Sequence, residues 1–264
     1  MIIDFHIHAF PNDIAERAIN TLSEVVNVQC HTNGTMDDTR RLLEEQRIDY
    51  GVLLPIATKP TQQFTINSWA AEQFNGRIIS FGTVHPDAPD VEEEIYRIKS
   101  LGLKGIKIHP DYQNVFLFEE KMKPIYRLCE ELKLPLLMHM GYDPLSPAVR
   151  HAMPYHLLTI TEEFPKLKII GAHLGGVFAW EEVLFYLCGR DNIWLDTAHL
   201  AGWIEPKLLT AIIKKHGADK ILFASDCPWH KPQMELELIE TLPLTEAEKE
   251  RIYWKNATEL LEIN

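Results

Sequence analysis

The chain has 264 residues, 26 Lys+Arg against 38 Asp+Glu, a formal net charge of -12, and 12 histidines. An acidic chain without a basic cluster argues against nucleic acid as a partner, because phosphate contacts need concentrated Lys and Arg. No apolar run approaches the ~20 residues that cross a bilayer, and the opening Met1-Ile2-Ile3-Asp4 leaves no room for a signal peptide. A cytoplasmic protein without membrane contact, acting on a small molecule, is therefore expected.

Short apolar, β-branched runs alternate with amphipathic stretches along the chain. A strand is predicted over 2–8, then a long 10–35 connection that forms a lid with its own helix over 12–25, then a helix over 37–47. Strand–helix pairs follow at 50–56 and 65–74, 77–84 and 90–101, 103–109 and 119–132, 135–139 and 146–164, 168–173 and 178–188, and 192–196 and 205–216. The eighth strand covers 220–226. A closing helix over 245–263 is marked by Thr245 and Glu248 at capping-box spacing. Alternation of this kind implies right-handed βαβ units on a parallel sheet. Eight units in this length fit a single (β/α)8 TIM barrel over residues 1–264. A doubly wound open sheet would show a Gly-rich first turn; here that turn is His8-Ala9-Phe10-Pro11. The cysteines Cys30, Cys129, Cys188 and Cys227 are scattered, without a CxxC pair, and outline neither a disulfide framework nor a structural zinc site.

Seven histidines (His6, His8, His85, His109, His139, His173, His199) fall at or just past predicted strand ends, where barrels place their chemistry. In Asp4-Phe5-His6-Ile7-His8, strict alternation puts Asp4, His6 and His8 on one face and Phe5 and Ile7 on the other. Two adjacent imidazoles suit a divalent metal, and Asp4 could accept from one of them and fix its tautomer. Alone, the same pattern also reads as a polar strand end. The parity rule pairs Lys107 with His109, and points His139, His173, Asp196 and Asp226 inward as well. Burying so many ionisable groups costs several kcal/mol each unless they are compensated, and a metal supplies compensation. His199, past the seventh strand, could support the site or line its pocket, as could Asp196.

At this point the chain resembles the amidohydrolase superfamily, in its aminocarboxymuconate-semialdehyde-decarboxylase-like branch. The resemblance rests on Asp4-Phe5-His6-Ile7-His8, Gly105-Ile106-Lys107-Ile108-His109-Pro110, Leu136-Leu137-Met138-His139-Met140-Gly141 and Gly171-Ala172-His173-Leu174-Gly175-Gly176. It continues in Leu195-Asp196-Thr197, Phe223-Ala224-Ser225-Asp226-Cys227-Pro228-Trp229 and Asn256-Ala257-Thr258-Glu259-Leu260-Leu261. It implies that His6, His8, His139 and Asp226 bind one divalent metal, with zinc expected. It implies that Asp226 takes a proton from metal-activated water and that His173 polarises the substrate or positions the nucleophile. Lys107 is read in two ways. In a binuclear site it is carboxylated and bridges two metals, with His139 and His173 holding the second. In the mononuclear site favoured here it contacts an anionic substrate or Asp4. His109 either joins the site or simply ends its strand before Pro110. A homodimer is suggested by the resemblance alone.

Aromatic residues beyond the strands, among them Tyr112, Tyr142, Phe178, Trp203 and Trp229, suit a partly apolar pocket; Tyr142 and Trp229 are substrate-binding candidates. Three functions compete. The first is hydrolysis of a cyclic amide, lactone or ester, and it is preferred because the mouth offers few arginines to hold carboxylates and the protein is acidic. The alternative is non-oxidative decarboxylation, or hydration, of an unsaturated carboxylic acid on the same metal. The third is a barrel that only binds metal or ligand. GxSxG, Walker A and HExxH motifs are absent.

Overall fold

The computed structural model describes residues 1–26 and 28–263. Eight parallel strands follow the predicted order: β1 (Ile3–Ile7), β2 (Tyr50–Leu53), β3 (Ile78–Ser80, continuing as Gly82–Thr83), β4 (Ile106–Ile108), β5 (Leu136–Met138), β6 (Ile169–Gly171), β7 (Ile193–Asp196) and β8 (Ile221–Leu222). Phe81 interrupts the ladder in β3, but its N–H reaches Leu53 O at 3.0 Å and keeps β2 and β3 joined. The seam between β8 and β1 is closed by Phe5 N to Phe223 O (2.8 Å), Asp226 N to His6 O (2.9 Å) and His8 N to Cys227 O (2.6 Å). The result is a closed (β/α)8 barrel.

Apolar residues form two layers. Ile106, Ile108, Leu136, Met138, Ile193 and Leu195 lie in the cluster packed against the surrounding helices. Val52, Leu54, Ile79, Phe81, Leu137, Ile170, Leu222 and Ala224 fill the barrel interior, with Ala257, Leu260 and Leu261 of the closing helix among them. This is the two-sided burial expected of parallel strands.

Strict alternation fails in β1. Its pairing with β2 runs Ile3↔Tyr50, Asp4↔Gly51, then Ile7↔Leu53, so β1 carries one extra residue. A bulge of this kind shifts the phase of the side chains. Phe5 packs in the interior, edge-on to Phe81 at 5.8 Å, rather than against helices as predicted; Ile7 does lie on the helix side. The parity argument for β6 fails as well. Ile170 and Ala172 are the interior residues, and His173 reaches the mouth because the strand has ended and its backbone turns left-handed, φ 56°.

Helices α1 (Asn12–Val26), α2 (Met36–Glu45), α3 (Gln63–Gln73) and α4 (Val91–Ser100) lie within two or three residues of their predicted bounds. Asn27, inside the predicted 10–35 connection, falls outside the described residues. A short α5 (Pro110–Gln113), not predicted, starts on His109, and α6 (Lys123–Glu131) follows a 3-10 turn. The helix predicted from 146 begins only at α7 (His156–Glu163). Pro147 and Pro154 interrupt the preceding stretch, and Gly141 is bridged to Ala152 instead. After α8 (Trp180–Tyr186) and α9 (Pro206–His216) comes another unpredicted helix, α10 (Pro232–Glu240). The chain closes with α11 (Glu246–Glu250), a π-helical turn (Arg251–Lys255) and α12 (Asn256–Leu261), with the Thr245/Glu248 capping box formed.

Candidate active site

The C-terminal ends of β1 and β8 bring His6, His8 and Asp226 together, with one donor atom of each within 4.8 Å of the others. The tautomers follow from the partners. His6 donates Nδ1–H to Asp196 Oδ2 at 2.8 Å, and His8 donates Nδ1–H to the Leu54 carbonyl at 2.8 Å. Both Nε2 atoms therefore carry lone pairs in the neutral rings, and they face one another at 3.1 Å. Asp226 Oδ1 lies 3.5 Å from the first and 3.4 Å from the second. Burial, then Lys107, hold His6 neutral well below the usual imidazole range. Burial alone would raise Asp226, but the hydrogen bond from His199 and the neighbouring imidazoles of His8, His6 and His173 hold it well below the usual carboxylate range. Three lone-pair donors aimed at one point repel unless a cation stands between them. Two imidazoles and a carboxylate, with tautomers fixed from behind, are the donor chemistry of a divalent metal.

The partner that fixes the tautomer of His6 is Asp196, which also accepts from His173 N (2.7 Å) and Ala198 N (3.1 Å). The role expected of Asp4 is thereby corrected. Asp4 accepts from Ser225 N (2.9 Å), Ser225 Oγ (2.5 Å) and His6 N (3.2 Å), and no imidazole reaches it. The β1 bulge separates its direction from that of His6, so Asp4 ties β1 to β8. Burial pushes its carboxyl up to about 7.

Lys107 is 1% exposed. Its Nζ lies 3.4 Å from His6 Nε2, and among the described residues it has no carboxylate at ion-pair distance. Burial lowers its pKa to about 8 against the opposing pull of Asp196 and Asp226. His173 donates Nδ1–H to Ala198 O at 3.0 Å, which leaves its Nε2 free; burial lowers it to about 4. Its ring stands between the two halves of the site, 5.3 Å from His6 and 4.8 Å from His139.

His139 is not brought into the group of His6, His8 and Asp226. It joins His109 and Asp143 instead. The two imidazoles stack at 4.2 Å, with Nε2 atoms 3.7 Å (His109) and 3.8 Å (His139) from Asp143 Oδ2. The tautomers differ from those of the first group. His109 Nδ1 accepts from Tyr112 N at 3.4 Å, and His139 Nε2 faces the Tyr142 carbonyl at 3.4 Å. Both Nε2 positions thus favour N–H, suited to a carboxylate or a substrate oxygen more than to a cation. Tyr112 extends the stack, 3.8 Å from His109, and burial raises Asp143 to about 6. Asp143 was missed by the sequence reading; its one signal is its position four residues after His139. Tyr142 lies half-buried under the Arg150 guanidinium at 5.0 Å. Trp229, also half-buried, follows Asp226 in a turn closed by its N–H on Asp226 O.

A histidine- and carboxylate-lined barrel mouth defines a class, and comparison with known proteins gives the family. The amidohydrolase family model, Amidohydro_2, matches residues 3–263, and the chain belongs to that family, whose members are metal-dependent. Among curated proteins it is similar to 2-amino-3-carboxymuconate-6-semialdehyde decarboxylase of Caenorhabditis elegans, 23% identical over 80% of this chain and 67% of that one. Among solved structures, 2,6-dihydroxybenzoate decarboxylase superposes with TM-score 0.76 at 18% identity, covering 99% of both chains. A dihydroxybenzoic acid decarboxylase from Polaromonas sp. JS666, with bound manganese, gives TM-score 0.74 at 19% identity over 99% of this chain and 96% of that one.

These relatives are decarboxylases, and the expectation of hydrolysis is corrected accordingly. Net charge describes the whole surface, and a count of arginines at the mouth leaves out lysine, whereas carboxylate binding depends on any local cation; here one ammonium group, Lys107, is buried beside the donor cluster.

Proposed function

We propose that this chain is a non-oxidative, metal-dependent decarboxylase of a small unsaturated or aromatic carboxylic acid. The observation that carries the metal is the facing pair of His6 and His8 lone pairs with Asp226 Oδ1 beside them. The relatives carry the reaction class. His6, His8 and Asp226 would hold one divalent ion, zinc or manganese. When bound, the ion supplies positive charge that orients the substrate and stabilises charge developing on it. Lys107 serves as the ammonium that draws the substrate carboxylate or an adjacent oxygen into the site, which agrees with its lack of an internal carboxylate partner. A carboxylated Lys107 bridging two ions is the second reading; its proximity to His6 supports it.

In the reaction the bond from the ring or alkene carbon to the carboxylate breaks. The electron pair stays on that carbon, carbon dioxide leaves, and one proton replaces it. His173, with Nε2 free and its ring between the two groups, is assigned to passing that proton together with Asp226. Tyr142 and Trp229 would flank the substrate, and the His109 and His139 N–H groups suit its polar substituents.

The test is a carbon dioxide release assay on metal-loaded protein with 2,6-dihydroxybenzoate, 5-carboxyvanillate and aminocarboxymuconate semialdehyde as probes. Release from one of them, lost by about 10²-fold or more in His173→Ala, is the expected result. Acid production from esters or lactones, with no carbon dioxide from any acid in the panel, would refute the assignment.

A further inference from the structure

One set of contacts behind the site has no part in the chemistry above. The two oxygens of Asp226 face different ways. Oδ1 faces the Nε2 atoms of His6 (3.5 Å) and His8 (3.4 Å), whereas Oδ2 lies 3.3 Å from His199 Nδ1. A carboxylate accepts, so His199 Nδ1 donates. His199 in turn lies flat on His230, ring centroids 4.5 Å apart and planes 10° from parallel. His230 donates Nδ1–H to Glu235 Oε1 at 2.6 Å. Glu235 is fully buried on α10. Its carboxylate also accepts the backbone N–H of Leu200 at 3.0 Å and of Ala201 at 3.1 Å, the two residues that follow His199. Glu235 therefore holds His199 by two routes, through the backbone just after it and through the ring stacked beneath it.

The backbone supports the same reading. His199 and Asp226 both take left-handed conformations, φ 59° and 70°. Non-glycine residues keep such conformations where their surroundings fix them. Here the fixing contacts join the two residues to each other and to a buried acid.

We propose that Glu235, His230 and His199 form a positioning array whose effect is to present Asp226 to the cation through a single oxygen. A carboxylate can bind a metal through one oxygen or both. An N–H held on Oδ2 leaves Oδ1 as the metal-facing atom and keeps a coordination position open for substrate. The inference rests on Asp226 being a metal ligand, as assigned above.

The test uses the full chain stripped of metal. Manganese(II) affinity is measured by calorimetry, and the visible absorption of the cobalt(II)-loaded protein is recorded alongside, for wild type, His199→Ala, His199→Asn and Asp226→Asn. Thermal melts of the metal-free chains check that each variant folds. Loss of a supporting contact of this kind costs about 10- to 100-fold in metal affinity, and His199→Ala is expected to show that loss. Its cobalt absorption should weaken as the freed oxygen raises the coordination number. Asparagine places an amide N–H near the Nδ1 position, so His199→Asn should restore both affinity and spectrum. If Asp226→Asn binds poorly while His199→Ala keeps wild-type affinity and spectrum, the array has no such role. If Asp226→Asn itself binds as wild type, the metal assignment fails and the array falls with it.

Discussion

Histidine is the residue on which this structure depends most, and its environments separate three uses. In the metal-facing pair, Nδ1–H is spent on Asp196 or Leu54 O and Nε2 is left bare. In the His109–His139 stack, Nε2 faces a carboxylate and a carbonyl. His216 is structural: Nδ1 accepts from Gly189 N at 3.2 Å and Nε2 donates to Ile193 O at 3.1 Å. Both nitrogens are satisfied only in the neutral ring, and burial lowers its pKa to about 4. The unfolded chain binds this proton near 6.5, so between about 4 and 6.5 the unfolded state holds more protons and stability rises with pH. Acidification through that window should cost on the order of 3 kcal/mol from this residue. Urea unfolding between pH 7 and pH 4.5 measures it: His216→Gln should flatten the slope, and a slope equal to wild type would contradict the assignment.

At the scale of elements, the loops after the strands place the site, and one glycine ties two of them together. Gly141, φ 94°, bridges Ala152 on one side and Val177 on the other. A Cβ there would stand 2.1 Å from Val177 N and 2.6 Å from Gly176 C, both backbone atoms that cannot step aside. Gly141→Ala should destabilise the chain by roughly 2–4 kcal/mol and displace Tyr142 and Asp143; denaturant titration reports the first, and a wild-type midpoint would refute it. The eight strands were legible because their apolar runs are short, β-branched and regularly spaced. The inward placement of Lys107 and His139 followed from parity because β4 and β5 keep their alternation; Asp226 reaches the mouth past the end of β8, on a left-handed backbone, φ 70°. Parity failed where the backbone departs from it, at the β1 bulge and at His173. Glu235, His230 and Asp143 were not legible: Asp143 and His230 sit on loops whose course no local pattern announces, and Glu235 acts on the backbone of Leu200, 35 residues away. Helix α10 was missed for a related reason: its buried face is Pro232, Glu235 and Ile239, with a carboxylate in the middle where helical periodicity would expect an apolar residue.

For the molecule as a whole, among the described residues no helix is long and apolar enough to cross a membrane. A ligand that binds only the folded chain raises its stability by mass action, ~2.7 kcal/mol at one hundred times its dissociation constant. Chelation should therefore lower the melting temperature, and adding back about one equivalent of divalent ion per chain should restore it. An unchanged melt after verified metal removal would count against the site, and a requirement for about two equivalents would favour the carboxylated Lys107 alternative.

The closure of the barrel between its first and last strands has a consequence for biosynthesis. Asp4 and Ser225, which lock that seam, are 221 residues apart in sequence, and the imidazoles of β1 and the carboxylate of Asp226 meet only across it. A nascent chain still threading its final strand out of the ribosome owns the histidines but not their counter-charge. The donor set comes into being only through a contact of very long sequence separation, a kind that is slow to form. A chain synthesised only as far as β7 has no complete cage with which to capture a stray ion.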